Sequence, residues 1–476
     1  MKRAGILMPI SSLPSQYGIG DFGKEAYAFV DKIKSAKVKI WQILPLNPLG
    51  YGNSPYQPLS SQAGDEIFIS LDGLKEDGLL NEDELMSFYA NETSVHYEEI
   101  RRFKMSLYKK AYYRFKPNDD YHAFVKANSW VEDYAIFRVF KAFNGNKTWL
   151  EWEEKYKNFK YNLDLIMFKD DIDFHIFLQY YFYKQWNVLK AYANENGIVI
   201  IGDMPIYVGL DSVDVWKNQD SFLLDQEGKP TSVAGVPPDY FSKTGQRWGN
   251  PIYDWDYLKK TGFKFWVERM KAAMKMYDTV RIDHFRAFDT FWKIPASQPT
   301  AIIGKWVEAP GYELFDTLHK ELPHLNVLAE DLGELRDEVY ELRDHYKMKG
   351  MYVFMFHRHD KFDMDKVVVY TGTHDNDTLN GWIETLDEKY TKKLEDLVED
   401  YTEKDMYKKI IHYCLDLKSQ DVIVPVWDLL GEPGDRRFNV PGQIGSPNWE
   451  YKITSFKELD KSLVFFSGVI QSSKRD

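Results

Sequence analysis

Ile198-Val199-Ile200-Ile201-Gly202-Asp203-Met204-Pro205 and Thr279-Val280-Arg281-Ile282-Asp283-His284 are short apolar runs that finish on a carboxylate. Runs without polar alternation suit strands buried on both faces, the situation of a parallel sheet. Six more occur, giving eight in all: 4–10, 39–46, 198–204, 279–284, 326–330, 351–356, 367–373 and 421–427. Segments with helical periodicity, such as 24–35, 263–276 and 312–321, separate them. Eight such units predict an α/β fold, a (β/α)8 TIM barrel, with an open doubly wound sheet as the alternative that periodicity leaves.

The spacing between runs is uneven. About 150 residues separate the second run from the third, where a simple βα unit needs roughly 30. The interval 77–183 is helical in composition and dense in aromatics, among them Tyr108, Tyr112, Phe115, Trp130, Phe137, Trp149 and Trp152. It reads as a helical insertion after strand 2, packed on one rim of the barrel. A second excursion, 207–255, is rich in Pro and Gly and reads as an active-site loop insertion after strand 3. A length of 476 residues suggests about three domains at roughly 150 each, but one barrel over 1–476 absorbs it with these insertions. The polar tail 472–476 is expected to fray.

Composition excludes several classes. Lys and Arg total 61 against 73 Asp and Glu, a net charge of −12, which argues against a nucleic-acid backbone as partner. No stretch of 18 apolar residues is present, so no membrane span is expected. Lys2-Arg3 followed by 4–10 mimics a signal peptide, but the run is short, contains Pro9 and lacks a small-residue cleavage site. The single cysteine, Cys414, cannot form an internal disulfide and reads as a small buried apolar side chain in the helical pattern 407–417. A cytoplasmic protein is expected, and the Asn-x-Thr triplets at Asn91 and Asn146 then carry no meaning. Nothing points to a protein partner.

Four of the eight runs end on acids: Asp203; Asp283; Glu330 with Asp331; and Asp375, in His374-Asp375-Asn376-Asp377. Unpaired carboxylates are costly in buried strands, and in a barrel the strand ends converge on one mouth. Any one of these acids alone is more simply a helix cap or a partner for Lys or Arg. Together, with Arg281 two residues before Asp283 to hold it ionised, they point to an acid-pair enzyme acting on sugars. Glycoside cleavage with retention needs a carboxylate nucleophile and a carboxylic acid that donates and then recovers a proton.

The same residues carry a family resemblance. Arg281-Ile282-Asp283-His284, Glu330 in Ala-Glu-Asp-Leu-Gly and His374-Asp375 look like conserved regions of the α-amylase superfamily. Further segments resemble its amylomaltase branch, the 4-α-glucanotransferases or disproportionating enzymes. These are Gly20-Asp21-Phe22-Gly23, Trp41-Gln42-Ile43-Leu44-Pro45-Leu46, Gly50-Tyr51-Gly52-Asn53-Ser54-Pro55-Tyr56-Gln57 and Gly202-Asp203-Met204-Pro205-Ile206-Tyr207-Val208. Gly235-Val236-Pro237-Pro238-Asp239-Tyr240-Phe241, Trp248-Gly249-Asn250-Pro251 and Gly445-Ser446-Pro447-Asn448-Trp449 continue the match. Tyr207-Val208 stands where many amylases have Asn-His, which favours this branch.

The resemblance implies a retaining double displacement between maltooligosaccharides and longer α-1,4-glucans, as donor and acceptor. Asp283 would be the nucleophile, Glu330 the general acid and base, and Asp375 the group that holds and distorts the reacting sugar. Asp203, Arg281, His284 and His374 would line the same subsite, and Tyr56 would stack on or bound the sugar. The loop 234–250, with Asp239 and Trp248, would lie over the cleft. No cofactor or metal is implied.

Other readings compete. Gly18-Ile19-Gly20-Asp21-Phe22-Gly23 matches G-x-G-x-x-G, but seven residues including Pro14 intervene after the strand and no acid ends the next run. It therefore reads as a loop of small residues rather than a dinucleotide site. Asp375-Asn376-Asp377 begins like a calcium loop, yet Leu379 and Asn380 stand where a ligand and the turn glycine should follow. The aromatic content of 16% would suit a non-catalytic glucan-binding protein, although most aromatics are core. An amylase-like α-glucan hydrolase uses the same intermediate as a transferase, and only the resemblance separates the two. Glu432, Asp435 and Arg436, after the eighth run, either border the cleft or, more simply, are ordinary loop charges.

Overall fold

A computed structural model describes residues 2–158, 163–239, 242–357 and 362–475. Its eight parallel strands are β1 (Arg3–Leu7), β2 (Ile40–Gln42), β3 (Val199–Pro205), β4 (Thr279–Asp283), β5 (Val327–Ala329), β6 (Gly350–Val353), β7 (Val367–Tyr370) and β8 (Asp421–Pro425). Each falls on one of the eight apolar runs. Neighbours in space are neighbours in sequence, with β8 beside β1. Between β5 and β6 the seam is closed by one parallel bridge, Leu328 to Lys349, where Ala329 N–H donates to Lys349 O at 2.8 Å. A closed barrel, rather than the open sheet, is the outcome.

Register places the chemistry. Along β3 and β4, Asp203 pairs with Arg281 and Pro205 with Asp283. Along β4 and β5, Ile282 pairs with Ala329, so Glu330 follows directly at the barrel mouth. Inside the barrel the Tyr370 hydroxyl donates to Gln42 Oε1 at 2.8 Å, which satisfies a buried amide at the floor of the site.

Between β2 and β3 the chain forms the helices Tyr97–Arg114, Asp119–Ala127, Trp130–Phe143 and Lys169–Glu195. The last runs unbroken through residue 183, past the end of the insertion expected from the sequence. It contains neither Gly nor Pro and carries on to the barrel wall, where Trp186 Nε1 donates to Met276 O at 3.0 Å. Aromatic side chains knit these helices together: the Tyr112 ring lies 5.6 Å from Phe177, Phe124 5.8 Å from Tyr180 and Trp130 5.7 Å from Tyr183. Arg101 reaches Asp65 at 2.8 Å and Glu66 at 3.0 Å, tying them to the segment after β2. Most of the aromatic content is therefore packing.

The stretch 207–255 contains more than loop. Ser232–Val236 and Gln246–Pro251 pair antiparallel and join Thr290–Pro295 and Lys305–Glu308 in a four-stranded sheet. Both new strands are short and interrupted by Gly or Pro, which hides them from periodicity. Gly235 is needed there, since a Cβ would stand 2.1 Å from Gln246 O.

The G-x-G-x-x-G segment is a packed loop before the helix Lys24–Ser35. A Cβ on Gly20 would meet Ile10 O at 1.9 Å, and Asp21 is held by the buried Lys104 at 2.9 Å. The tail does not fray as expected. Arg475 is fully buried, and its guanidinium donates to the carbonyls of Leu415, Leu417 (2.6 Å) and Ser419 (3.0 Å). A polar tail is held when its charge finds backbone acceptors. Cys414 is buried in the helix Met406–Asp416. Among the described residues no helix is long and apolar enough to cross a membrane.

Candidate active site

At the C-terminal mouth of the barrel Arg281 forks between two carboxylates. Its Nη1 donates to both oxygens of Asp203 at 2.8 and 2.7 Å, and its Nη2 donates to Asp283 Oδ1 at 3.1 Å. The side chains of Asp203 and Arg281 are 0% and 4% exposed, whereas that of Asp283 is 29% exposed. Asp283 is thus the member of the trio that opens to the cleft. Burial favours a neutral arginine, but Asp203 and Asp283 outweigh it and hold the guanidinium well above its ordinary value.

Glu330 is seated from the backbone. Its Oε2 accepts from the N–H of His284 at 2.7 Å and its Oε1 from that of Leu332 at 3.2 Å. His284 itself adopts a left-handed conformation, φ 57°. Burial raises the carboxyls of Asp283 and Glu330 above the usual range. Arg281 opposes the rise in both, and the charge of Glu330 adds to it at Asp283. Burial, reinforced by Arg286, lowers His284 to about 3, so its imidazole is neutral.

On the opposite side, Asp375 Oδ1 accepts from Asn439 Nδ2 at 2.6 Å and its carbonyl from Arg437 Nη2 at 2.7 Å. His374 is buried, and burial lowers its pKa. Its Nε2 lies 3.4 Å from Asp375 Oδ2 without hydrogen-bonding alignment. The His374 ring stacks on Tyr56, with centroids 5.1 Å apart and planes 12° apart. Tyr56 donates through its hydroxyl to Asp203 Oδ2 at 2.7 Å and abuts Trp449 at 5.8 Å. The phenol that closes one wall therefore shares a carboxylate with Arg281.

The Trp248 ring meets that of His284 edge-on at 4.8 Å. Its strand is clasped to the Tyr56 loop: Gln57 Nε2 donates to Asn250 Oδ1 at 2.9 Å, and Asn250 Nδ2 donates to Val208 O at 2.9 Å. Asp239 is exposed, and its Oδ1 accepts from Ser242 N–H at 2.7 Å. Tyr240 and Phe241 of the same motif lie outside the described residues. Asp203, Arg281, Asp283, His284, Glu330, Tyr56, His374, Asp375 and Trp248 are thus linked through direct contacts around one mouth. Asp331 turns away, paired to Arg343 at 2.5 Å.

Asn439, Arg437 and the wall position of Trp449 escaped the sequence reading. The first two sit in a loop without periodicity, and only the Ser-Pro-Asn-Trp motif signalled the third. Glu432 and Arg436 pack on Tyr451, as ordinary loop charges do. Among the described residues no group of three or more His, Cys, Asp or Glu is arranged to hold a metal ion.

A closed parallel barrel with a buried arginine between strand-end carboxylates defines an acid-pair, carbohydrate-active barrel enzyme. The comparisons narrow the class. A family model described as 4-alpha-glucanotransferase matches residues 8–458, and the chain belongs to that family. It is 42% identical over 479 residues to a 4-alpha-glucanotransferase of Streptococcus pneumoniae, covering 95% of this chain and 93% of the relative. It is 40% identical over 486 residues to that of Aquifex aeolicus, covering 98% and 99%. A solved amylomaltase from Streptococcus agalactiae, in complex with acarbose, superposes with a TM-score of 0.94 at 36% identity, covering 100% of both chains. The protein is a transferase of 4-α-glucans.

Proposed function

We propose that this enzyme moves α-1,4-glucan segments between maltooligosaccharides and longer α-1,4-glucans, with Asp283 as nucleophile and Glu330 as general acid and base. Asp283 attacks the anomeric carbon of the donor as Glu330 protonates the leaving glycosidic oxygen. The bond to the leaving glucan breaks, and a glucosyl ester to Asp283 forms. The 4-hydroxyl of an incoming acceptor then gives its proton to Glu330 and attacks the same carbon, which frees Asp283. Two inversions leave the α-configuration intact.

The observation that carries this reading is the Arg281 fork. One guanidinium is neutralised by Asp203 yet still donates to Asp283, which favours the ionised form of the attacking group. Burial raises Glu330 as it raises Asp283, and the proton-donor role falls to Glu330 because it is the acid that Arg281 does not hydrogen-bond. Asp375, braced by Asn439, holds hydroxyls of the reacting sugar, and the Tyr56–His374 stack walls the subsite. Asp203, Arg281, His284 and Trp248 complete the pocket, and Asp239 approaches from the lid. A sugar hydroxyl outcompetes water when the lid over the cleft excludes solvent. The Gln57–Asn250 clasp supports that role for 234–250.

In this reading 1–476 form one catalytic barrel, with 77–183 as a helical insertion and 207–255 as an active-site insertion. A cytoplasmic address belongs to the proposal and rests on the single, buried cysteine. Incubation with maltotriose is the test. Glucose together with a ladder of longer maltooligosaccharides is expected, and exclusively shorter sugars would overturn transfer in favour of hydrolysis.

A further inference from the structure

After β8 the short helix Val426–Leu430 buries Asp428 completely. Its Oδ2 accepts from the Thr371 hydroxyl at 2.6 Å, and its Oδ1 accepts from the backbone N–H of Leu379 at 2.7 Å. Thr371 is the residue after β7, and Leu379 opens the helix Leu379–Glu384. Between them runs the segment 372–378, which carries His374 and Asp375. One carboxylate therefore holds both ends of this segment.

The segment is also wound on itself. Asn376 Oδ1 accepts from the N–H and hydroxyl of Thr373 at 2.8 and 2.9 Å, and Thr378 caps the following helix through Gly381 N–H at 3.0 Å. Its internal shape is thus set locally, Asn439 and Arg437 brace Asp375 in its middle, and Asp428 holds its two ends. The titratable groups facing Asp428 are Asp377 and the Cys414 thiol, neither of them a cation. Burial raises Asp428 to about 7, and Asp377 adds to the rise. As a carboxylate it accepts from both partners. As an acid it donates to Thr371 Oγ1 and still accepts from Leu379, so both forms hold the segment.

We propose that Asp428 is a positioning residue for glucan transfer: by clamping 372–378 at both ends it sets where Asp375 meets the reacting sugar. This rests on the reading that Asp375 grips that sugar. A displacement of about 1 Å in such a group can cost about 10²-fold in rate.

The test is a double-mutant cycle on maltotriose disproportionation, with Asp428→Ala, Asp428→Asn, Asp375→Asn and the double variant Asp428→Ala/Asp375→Asn. Asp428→Ala is expected to lower kcat about 10²-fold with KM changed far less. Asp428→Asn, which can donate to Thr371 and accept from Leu379, is expected within about threefold of wild type with an unshifted pH profile. In the Asp375→Asn background, Asp428→Ala is expected to cost almost nothing more, because coupled residues are non-additive. Losses that multiply, an unimpaired Asp428→Ala, or an Asp428→Asn as impaired as Asp428→Ala would overturn the proposal. An Asp375→Asn variant with full turnover would overturn the underlying reading of the site as well, and is distinguishable from those results. Should Asp428→Ala not fold, Thr371→Val removes one end of the clamp. It is expected to lower kcat about tenfold, again only where Asp375 is present, and an unchanged kcat overturns the proposal.

Discussion

Glu330 Oε2 accepts, at 2.7 Å, the backbone N–H of His284, the residue next to Asp283. The two acids of the site are therefore spaced by main chain rather than by a flexible side-chain contact.

From this follows a division of labour that two variants separate. Asp283→Asn is expected to lose about 10³-fold or more in turnover of maltotriose while still binding maltooligosaccharide by calorimetry. Glu330→Gln should lose a comparable amount on maltotriose yet recover much of the first step on α-maltosyl fluoride, whose leaving group needs no proton. Equal losses of Glu330→Gln on both donors would contradict the acid role.

The pH dependence of stability has a defined sign. Glu330 has a folded-state pKa raised above the ordinary 4.5, so the folded protein binds that proton more tightly. Its stabilising contribution is complete below about pH 4.5 and is lost as pH rises through the raised value. Glu330→Gln lacks this loss. Its Tm relative to wild type should therefore climb from pH 4 to pH 9 in a melting series, and a flat difference would show that Glu330 is not so perturbed.

Asp203 is the counter-charge that Arg281 needs. Asp203→Ala leaves a guanidinium with 4% exposure dependent on the longer contact to Asp283. Breaking a buried pair in this way is expected to cost about 3–5 kcal/mol in urea unfolding. Asp203→Asn, which keeps an acceptor oxygen for Arg281 and can donate its amide N–H to the Tyr56 hydroxyl oxygen, should cost clearly less.

The clasp between Gln57 and Asn250 predicts an effect on product choice. Asn250→Ala reduces the tie between the Tyr56 loop and the Trp248 strand to the 3.5 Å contact of Gln57 Nε2 with Trp248 O, and it frees the Val208 carbonyl. The share of hydrolysis in total turnover of maltotriose should rise several-fold, read as reducing ends gained per glucose transferred. An unchanged share would remove solvent exclusion from the functions of this contact.

The barrel was legible because each of its strands lies in a predominantly apolar run, the pattern that burial on both faces favours. The acids were legible because a carboxylate at the end of such a run needs a reason. Ser232–Val236 and Gln246–Pro251 were not, since five or six residues with Gly or Pro leave no period to detect. Asn439 was invisible for a related cause: it meets Asp375 across 64 positions of chain, and nothing local marks an amide that braces a distant acid. Arg475 misled, because a polar tail betrays no sign of the carbonyls that will receive it.

The four-stranded sheet draws Ser232–Val236 and Gln246–Pro251 from the connection after β3, and Thr290–Pro295 and Lys305–Glu308 from the connection after β4. The interchangeable part of this enzyme is consequently a pair of excursions rather than one loop. Grafting 207–255 alone from a relative with different glucan preferences would strand the edge of Thr290–Pro295, against which Ser232–Val236 is laid. Chimeras built to alter specificity should exchange the two excursions as one cassette, leaving the barrel strands and their acids in place.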